Sequence, residues 1–223
     1  MSKFAVRSDA PPPTRWWWVR HAPVVVNDGR CYGRSDLPCR TDDTAGFRGL
    51  AGRLPKAAVW VTSDLMRTHQ TAAAIVAAGL PGPDQIPGPG VQVEPDLAEQ
   101  SFGDWQGQTY ASLAEQRAEE YHRFWFAPAR ERAPGGESFV DLIERVAPVI
   151  QRLNRDFAGH DIIAVAHGGT IRAALGLALD LPPEVSLSFT IDNISLTRLD
   201  HFDDPAARHG HGWRVAGVNQ PAA

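Results

Sequence analysis

The sequence predicts an α/β sandwich of three layers, with a mainly parallel central sheet flanked by helices. Three observations lead there. Short unbroken apolar runs recur along the chain, segments with a three- to four-residue apolar period lie between them, and Gly/Pro-rich stretches separate the two. An unbroken apolar run of strand length suits a strand covered on both faces. Strands alternating with helices suit a layered α/β fold.

Taken in order, residues 1–14 (MSKFAVRSDAPPPT) carry no periodic pattern and read as a disordered N-terminal segment, whereas 15–220 read as one domain. Trp16 to Val19 (WWWV) is the first strong strand and Ala57 to Thr62 (AAVWVT) the second. Arg67 to Gly79 reads as a helix, Gly79 to Gly90 as a turn-rich connector, and Val91 to Pro95 as a weaker strand. Tyr110 to Phe126 reads as one helix. The clearest helix covers Phe139 to Phe157, where Phe139, Leu142, Val146, Ile150 and Leu153 make one stripe. Ser138 with Asp141 forms a capping box at its start, and Gly159 stops it. Ile162 to Ala166 (IIAVA) is the third strong strand, followed by a helix over Thr170 to Asp180 that Pro182 and Pro183 end. Ile194 to Leu199 and Trp213 to Val218 are the remaining weaker strands.

With 223 residues, 43% hydrophobic and 22% charged, the chain has the composition of an ordinary globular domain. A domain of this size buries roughly 70% of its unfolded surface. The start lacks a signal-like apolar region, and no stretch of about 18 apolar residues occurs, so a cytoplasmic protein without membrane contact is expected. Cys31 and Cys39 are the only cysteines, too few for a disulfide framework and without zinc-ligand spacing; both read as reduced thiols, and no metal site is expected. The net charge is −4 and the Lys and Arg residues are scattered, which argues against nucleic acid as a partner. A small anionic ligand stays open.

Each strong strand runs directly into polar residues: Arg20-His21 after the first, SDLMRTHQT after the second, HGGT after the third. Ligands in open α/β sheets bind outside the carboxyl ends of strands. If these ends converge, Arg20, His21, Arg67 and His167 meet at one rim. Guanidinium forks match phosphate oxygens. Gly168 and Gly169 open the next helix, whose free N–H groups add attraction for negative charge. The implied ligand is a phosphate group.

This ordered set resembles the histidine phosphatase superfamily, also called phosphoglycerate-mutase-like. That family carries Arg-His-Gly near its N-terminus, a second Arg about one strand later, an acidic residue before a Phe-Gly-x-Trp-like stretch, and a late His-Gly. The counterparts are VRHA (Arg20, His21), SDLMRTHQTA (Arg67), LAEQSFGDWQG (Glu99) and AHGGTIR (His167), with GRSDLP and GGES matching further stretches and Asn27 at the spacing of the family's asparagine. Two positions depart: Ala22 replaces the glycine after the histidine, and Val24 replaces a hydroxyl residue three positions beyond it.

The resemblance implies that His21 attacks phosphorus and forms a phosphohistidine, that Arg20, Arg67 and a protonated His167 stabilise the phosphoryl oxygens, and that Glu99 protonates the leaving group and then activates water. It implies Asn27 and Gly168 as substrate-binding positions and a bell-shaped pH profile. No cofactor or metal is called for. The partner is a small phosphorylated substrate or inorganic phosphate, and a homodimer is the assembly considered. About 37 residues separate Glu99 from Glu137; mutases of the family carry a longer insertion there, so hydrolysis is favoured over phosphotransfer. The pattern is most similar to the α-ribazole phosphatase branch, with broad-specificity phosphatases close to it. The alternatives are a mutase-type phosphotransferase, a phosphohistidine phosphatase and a non-catalytic phosphate-binding or regulatory module.

Overall fold

The tryptophans of the first apolar run divide between two layers. In an extended strand successive side chains point to opposite faces, so Trp16 and Trp18 stack at 4.8 Å on one side while Trp17 and Val19 face the other. The computed structural model describes residues 11–26, 28–85, 89–203 and 212–222. Its elements are β1 (Thr14–Arg20), α1 (Thr44–Arg53), β2 (Val59–Thr62), α2 (Met66–Ala77), β3 (Val91–Val93), α3 (Tyr110–Gln116), α4 (Ala118–Phe126), α5 (Phe139–Asp156), β4 (Asp161–Ala166), α6 (Gly168–Leu179), α7 (Pro183–Ser186), β5 (Leu196–His201) and β6 (Trp213–Gln220).

The sheet order is β3-β2-β4-β1-β5-β6. The first four strands are parallel, β5 runs antiparallel to β1, and β6 antiparallel to β5. The sheet is therefore mixed, with the predicted parallel part at its centre. Side chains of α5 and α6 cover the Trp16/Trp18 face together with Ile162, Ala164 and Ala166. Those of α1 and α2 cover the other face, against Val19, Trp60, Ile163 and Val165. A third, smaller cluster joins Cys31, Trp105, Leu113 and Phe124 beneath α3 and α4.

Register sets up the site. Arg20 pairs with Ala166 and Thr62 with Val165, so β1, β4 and β2 end level. The next residues, His21, His167 and Ser63, emerge at one edge.

The differences from the sequence reading have physical causes. Thr14, assigned to the disordered segment, opens β1 and is buried; residues 1–10 lie outside the described residues. Helix α1 was not foreseen, because Gly46 and Gly52 depress its propensity and its apolar stripe is short; Asp43 caps it, accepting from Gly46 N at 2.9 Å. The single helix expected over 110–126 is two, broken at Arg117 (φ −129°, ψ 39°). Pro148 lies inside α5 without ending it. The burial of Leu142, Val146, Ile150 and Leu153 outweighs a proline cost of about 3 kcal/mol. The capping box at Ser138 and Asp141 is present, and Gly159 adopts φ +78°. Both cysteines are free and buried, and burial pushes the Cys31 thiol up to about 11. No helix among the described residues is long and apolar enough to cross a membrane.

Candidate active site

The three strand ends bring His21, His167 and Arg67 together, all fully buried. The two imidazole centroids lie 5.1 Å apart. His21 N donates to Ala166 O at 2.9 Å, which ties β1 to β4 at the site itself. His21 Nδ1 lies 2.7 Å from Ala22 O. A carbonyl only accepts, so Nδ1 carries the proton and Nε2 keeps its lone pair. That Nε2 is buried and has no hydrogen-bond partner among the described residues. Burial, with smaller contributions from Arg67 and Arg20, holds the pKa of His21 down to about 3, and His21 is neutral at physiological pH.

Arg67 reaches the site from the first turn of α2. Its Nη1 donates to Ser35 O at 2.6 Å, its Nη2 to Gly33 O at 2.8 Å and its Nε to His167 Nδ1 at 3.3 Å. His167 Nδ1 therefore accepts. Its Nε2 lies 2.8 Å from Ser63 Oγ, which also accepts from Leu65 N. In this arrangement His167 is neutral, with its proton on Nε2 toward Ser63. Burial is the main reason its pKa lies well below the usual value, with His21, Arg67, Arg145 and Arg20 adding to the shift. The sequence reading took His167 as protonated; the geometry assigns the neutral form. Arg20 donates through Nη1 to Ile191 O at 2.5 Å, and its Nε is buried without a partner among the described residues.

Glu99 reaches the start of α6. Its Oε1 accepts from Gly169 N at 3.0 Å and from Gln100 N at 3.1 Å. One of the helix N–H groups expected to face the ligand is thus committed to Glu99, and Gly168 is left as the first residue of α6 beside Arg20. A Cβ on Gly169 would stand 2.4 Å from Glu99 Oε1, so a side chain there would displace the carboxylate. The backbone at Glu99 is clamped by Arg145, which donates to Ala98 O and Glu99 O, both at 2.9 Å. Arg145 also pairs with Glu137 through two bonds, at 2.8 and 3.0 Å. Burial pushes the Glu137 carboxyl up, but the Arg145 and Ser101 N–H bonds outweigh it and hold it below its ordinary value.

A family model described as "Histidine phosphatase superfamily (branch 1)" matches residues 16–214. The chain belongs to the histidine phosphatase superfamily. It is 32% identical over 201 residues to a bifunctional protein of Mycobacterium tuberculosis, covering 87% of this chain and 52% of that one. The chain thus spans about half the length of the first curated relatives it matches. It is 26% identical to the adenosylcobalamin/alpha-ribazole phosphatase of Escherichia coli over 190 residues, 83% and 89% of the two chains. Among solved structures, mycobacterial glucosyl-3-phosphoglycerate phosphatase with inorganic phosphate superposes with a TM-score of 0.73 at 26% identity, over 94% and 98% of the chains.

In this superfamily member five candidate site residues named from sequence converge: Arg20, His21, Arg67 and His167, with Glu99 reaching α6 beside them. Asn27 lies outside the described residues, as do His209 to His211. Ser63, Arg145 and Arg172 escaped the sequence reading. Ser63 stands in the quoted SDLMRTHQT stretch and was legible as a polar residue at a strand end. Arg145 gave no local signal, because its partners are carbonyls about 50 residues away. The aromatic residues of α4 divide: Phe124 is buried, while Trp125 is 47% and Phe126 91% exposed.

Proposed function

We propose that this protein hydrolyses phosphomonoesters of small metabolites through a phosphohistidine on His21. One observation carries the reading: a buried, neutral imidazole presents an unpartnered Nε2 lone pair beside Arg20, Arg67 and His167. In the first step Nε2 bonds to phosphorus while the P–O bond to the leaving alcohol breaks, and Glu99 supplies the proton that the departing oxygen takes. In the second, Glu99 takes a proton from water, the water oxygen bonds to phosphorus, the N–P bond breaks, and phosphate leaves. Arg20 and Arg67 face the charge on the equatorial oxygens, and phosphoryl transfer asks little of a protein beyond such positioning and stabilisation. The negative charge of the bound group favours a proton on His167 Nδ1, which gives up the bond from Arg67 Nε and turns that nitrogen into a donor.

The short segment between Glu99 and Glu137 supports hydrolysis over phosphotransfer. A pure phosphate binder needs neither an activated nucleophile nor a braced carboxylate. The similarity to enzymes named for α-ribazole and glucosyl-3-phosphoglycerate makes these phosphoesters the first substrates to screen. With p-nitrophenyl phosphate, wild type is expected to turn over in the presence of EDTA, and acid-labile phosphate is expected on His21 in rapidly quenched samples. Phosphate trapped on another residue, or equal turnover by His21→Ala, defeats the reading.

A further inference from the structure

Three guanidiniums near the site, those of Arg20, Arg67 and Arg172, have no carboxylate within ion-pair distance among the described residues, whereas Arg145, on the far side of Glu99, is fully paired. Arg172 lies one turn into α6. Its Nε donates to Phe189 O at 2.7 Å, and its two Nη groups have no hydrogen-bond partner among the described residues. Arg20 is held in the same way by Ile191 O. Two carbonyls, two residues apart in the segment after α7, thus aim both side chains. A Cβ on Gly168 would stand 3.6 Å from Arg172 Nη1 and 3.6 Å from Arg20 Nε, so the two cations flank the start of α6. Burial lowers the Arg172 pKa, attraction to Glu99 opposes that, and repulsion from Arg20 adds to it.

Holding two partly buried like charges together is unfavourable unless an anion joins them. The scissile phosphoryl group already has Arg20, Arg67 and His167 for its oxygens. Arg172 stands on the side of Glu99, whose task is to reach the leaving oxygen, so whatever that oxygen carries passes the free Nη groups. On the phosphatase reading above, we propose that Arg172 is a specificity-determining residue that binds a second anionic group, a carboxylate or a phosphate, carried by the leaving alcohol.

A matched pair tests this. 3-Phosphoglycerate and glycerol 3-phosphate differ only in a carboxylate where the other has a hydroxymethyl group. Wild type is expected to favour 3-phosphoglycerate in kcat/KM by about tenfold or more, the range of a hydrogen bond to a charged group. A bis-phosphorylated glycerol is expected to share that preference. The ratio falls toward one in Arg172→Gln and lies between the two in Arg172→Lys. Absence of the preference in wild type overturns the inference, as does an Arg172→Gln variant that lowers both substrates equally, the behaviour of a residue that merely supports Glu99 or the Phe189 segment. Should Arg172→Gln not fold, the wild-type ratio and Arg172→Lys decide it. Turnover of p-nitrophenyl phosphate in the same assays separates this failure from that of the phosphatase reading: an enzyme active on it but indifferent to the carboxylate sinks only the second anion.

Discussion

The half of the site that holds the proposed nucleophile and the half that holds the proposed acid are built by different means. His21 and His167 follow directly on paired parallel strands, are fully buried, and take their ring orientation from the Ala22 carbonyl, the Ser63 hydroxyl and Arg67 Nε. Glu99 sits on an irregular segment after a 3₁₀ turn, and that segment is fixed by the side chain of Arg145 and its partner Glu137. Beyond it α3 and α4 cover a cluster of their own and leave Phe126 in solvent. Sheet register positions the first half, and Arg67 and Ser63 complete it with hydrogen bonds to one ring. The second half needs a charged brace, so its geometry depends on single side chains.

The contrast is broken most directly at Glu99. Glu99→Gln is expected to lose on the order of 10²–10³-fold in kcat with alkyl phosphates, the usual worth of a positioned acid, and far less with p-nitrophenyl phosphate, whose leaving group needs little protonation. Equal losses on both would place Glu99 outside acid catalysis. Next is the brace. Arg145→Met removes three carbonyl contacts and leaves Glu137 unpaired in a largely buried setting, which costs about 1–3 kcal/mol in denaturant unfolding. Its kcat is expected to fall selectively for alkyl phosphates, and a uniform loss would mean that Arg145 also supports the imidazoles.

A change of pH alone tests the buried histidines. His21 titrates near 3 in the fold against about 6.5 in the unfolded chain, and His167 shifts the same way. Between those values only the unfolded chain binds the His21 proton, so stability rises with pH across the window, by up to roughly 1.4 kcal/mol per pH unit from His21 with His167 adding in the same direction, and levels off above it. Urea midpoints from pH 4 to 7 are expected to climb less steeply in His21→Gln than in wild type. Parallel slopes would mean that the imidazole is charged in the folded protein.

Much of this architecture was readable because strong signals coincided. WWWV, AAVWVT and IIAVA are apolar throughout, so their strand character and burial followed, and the charged residues at their ends marked the rim. The rest was carried by tertiary context. Tyr110 to Phe126 keeps a helical pattern through Arg117, and nothing local announces the break. The glycines of α1 hide a helix that packing on the sheet stabilises through Phe47 and Leu50. Arg145 and Arg172 act on backbone carbonyls, which every residue has, so no motif records their targets. The hydrogen bonds that set the proton of His167, from Arg67 Nε and with Ser63 Oγ, were not legible, because only the folded chain defines the approach of those two groups.

The strand order carries a consequence for how the molecule assembles. β4 lies between β1 and β2, yet it follows both by about a hundred residues or more. A chain emerging from the ribosome therefore holds two apolar ribbons that do not pair with each other and wait for a third to slot between them. Such long-range closure is slow and leaves sticky edges bare in the meantime. The same late insertion sets the second imidazole beside the first, so the pair comes into being only when the middle of the sheet is filled.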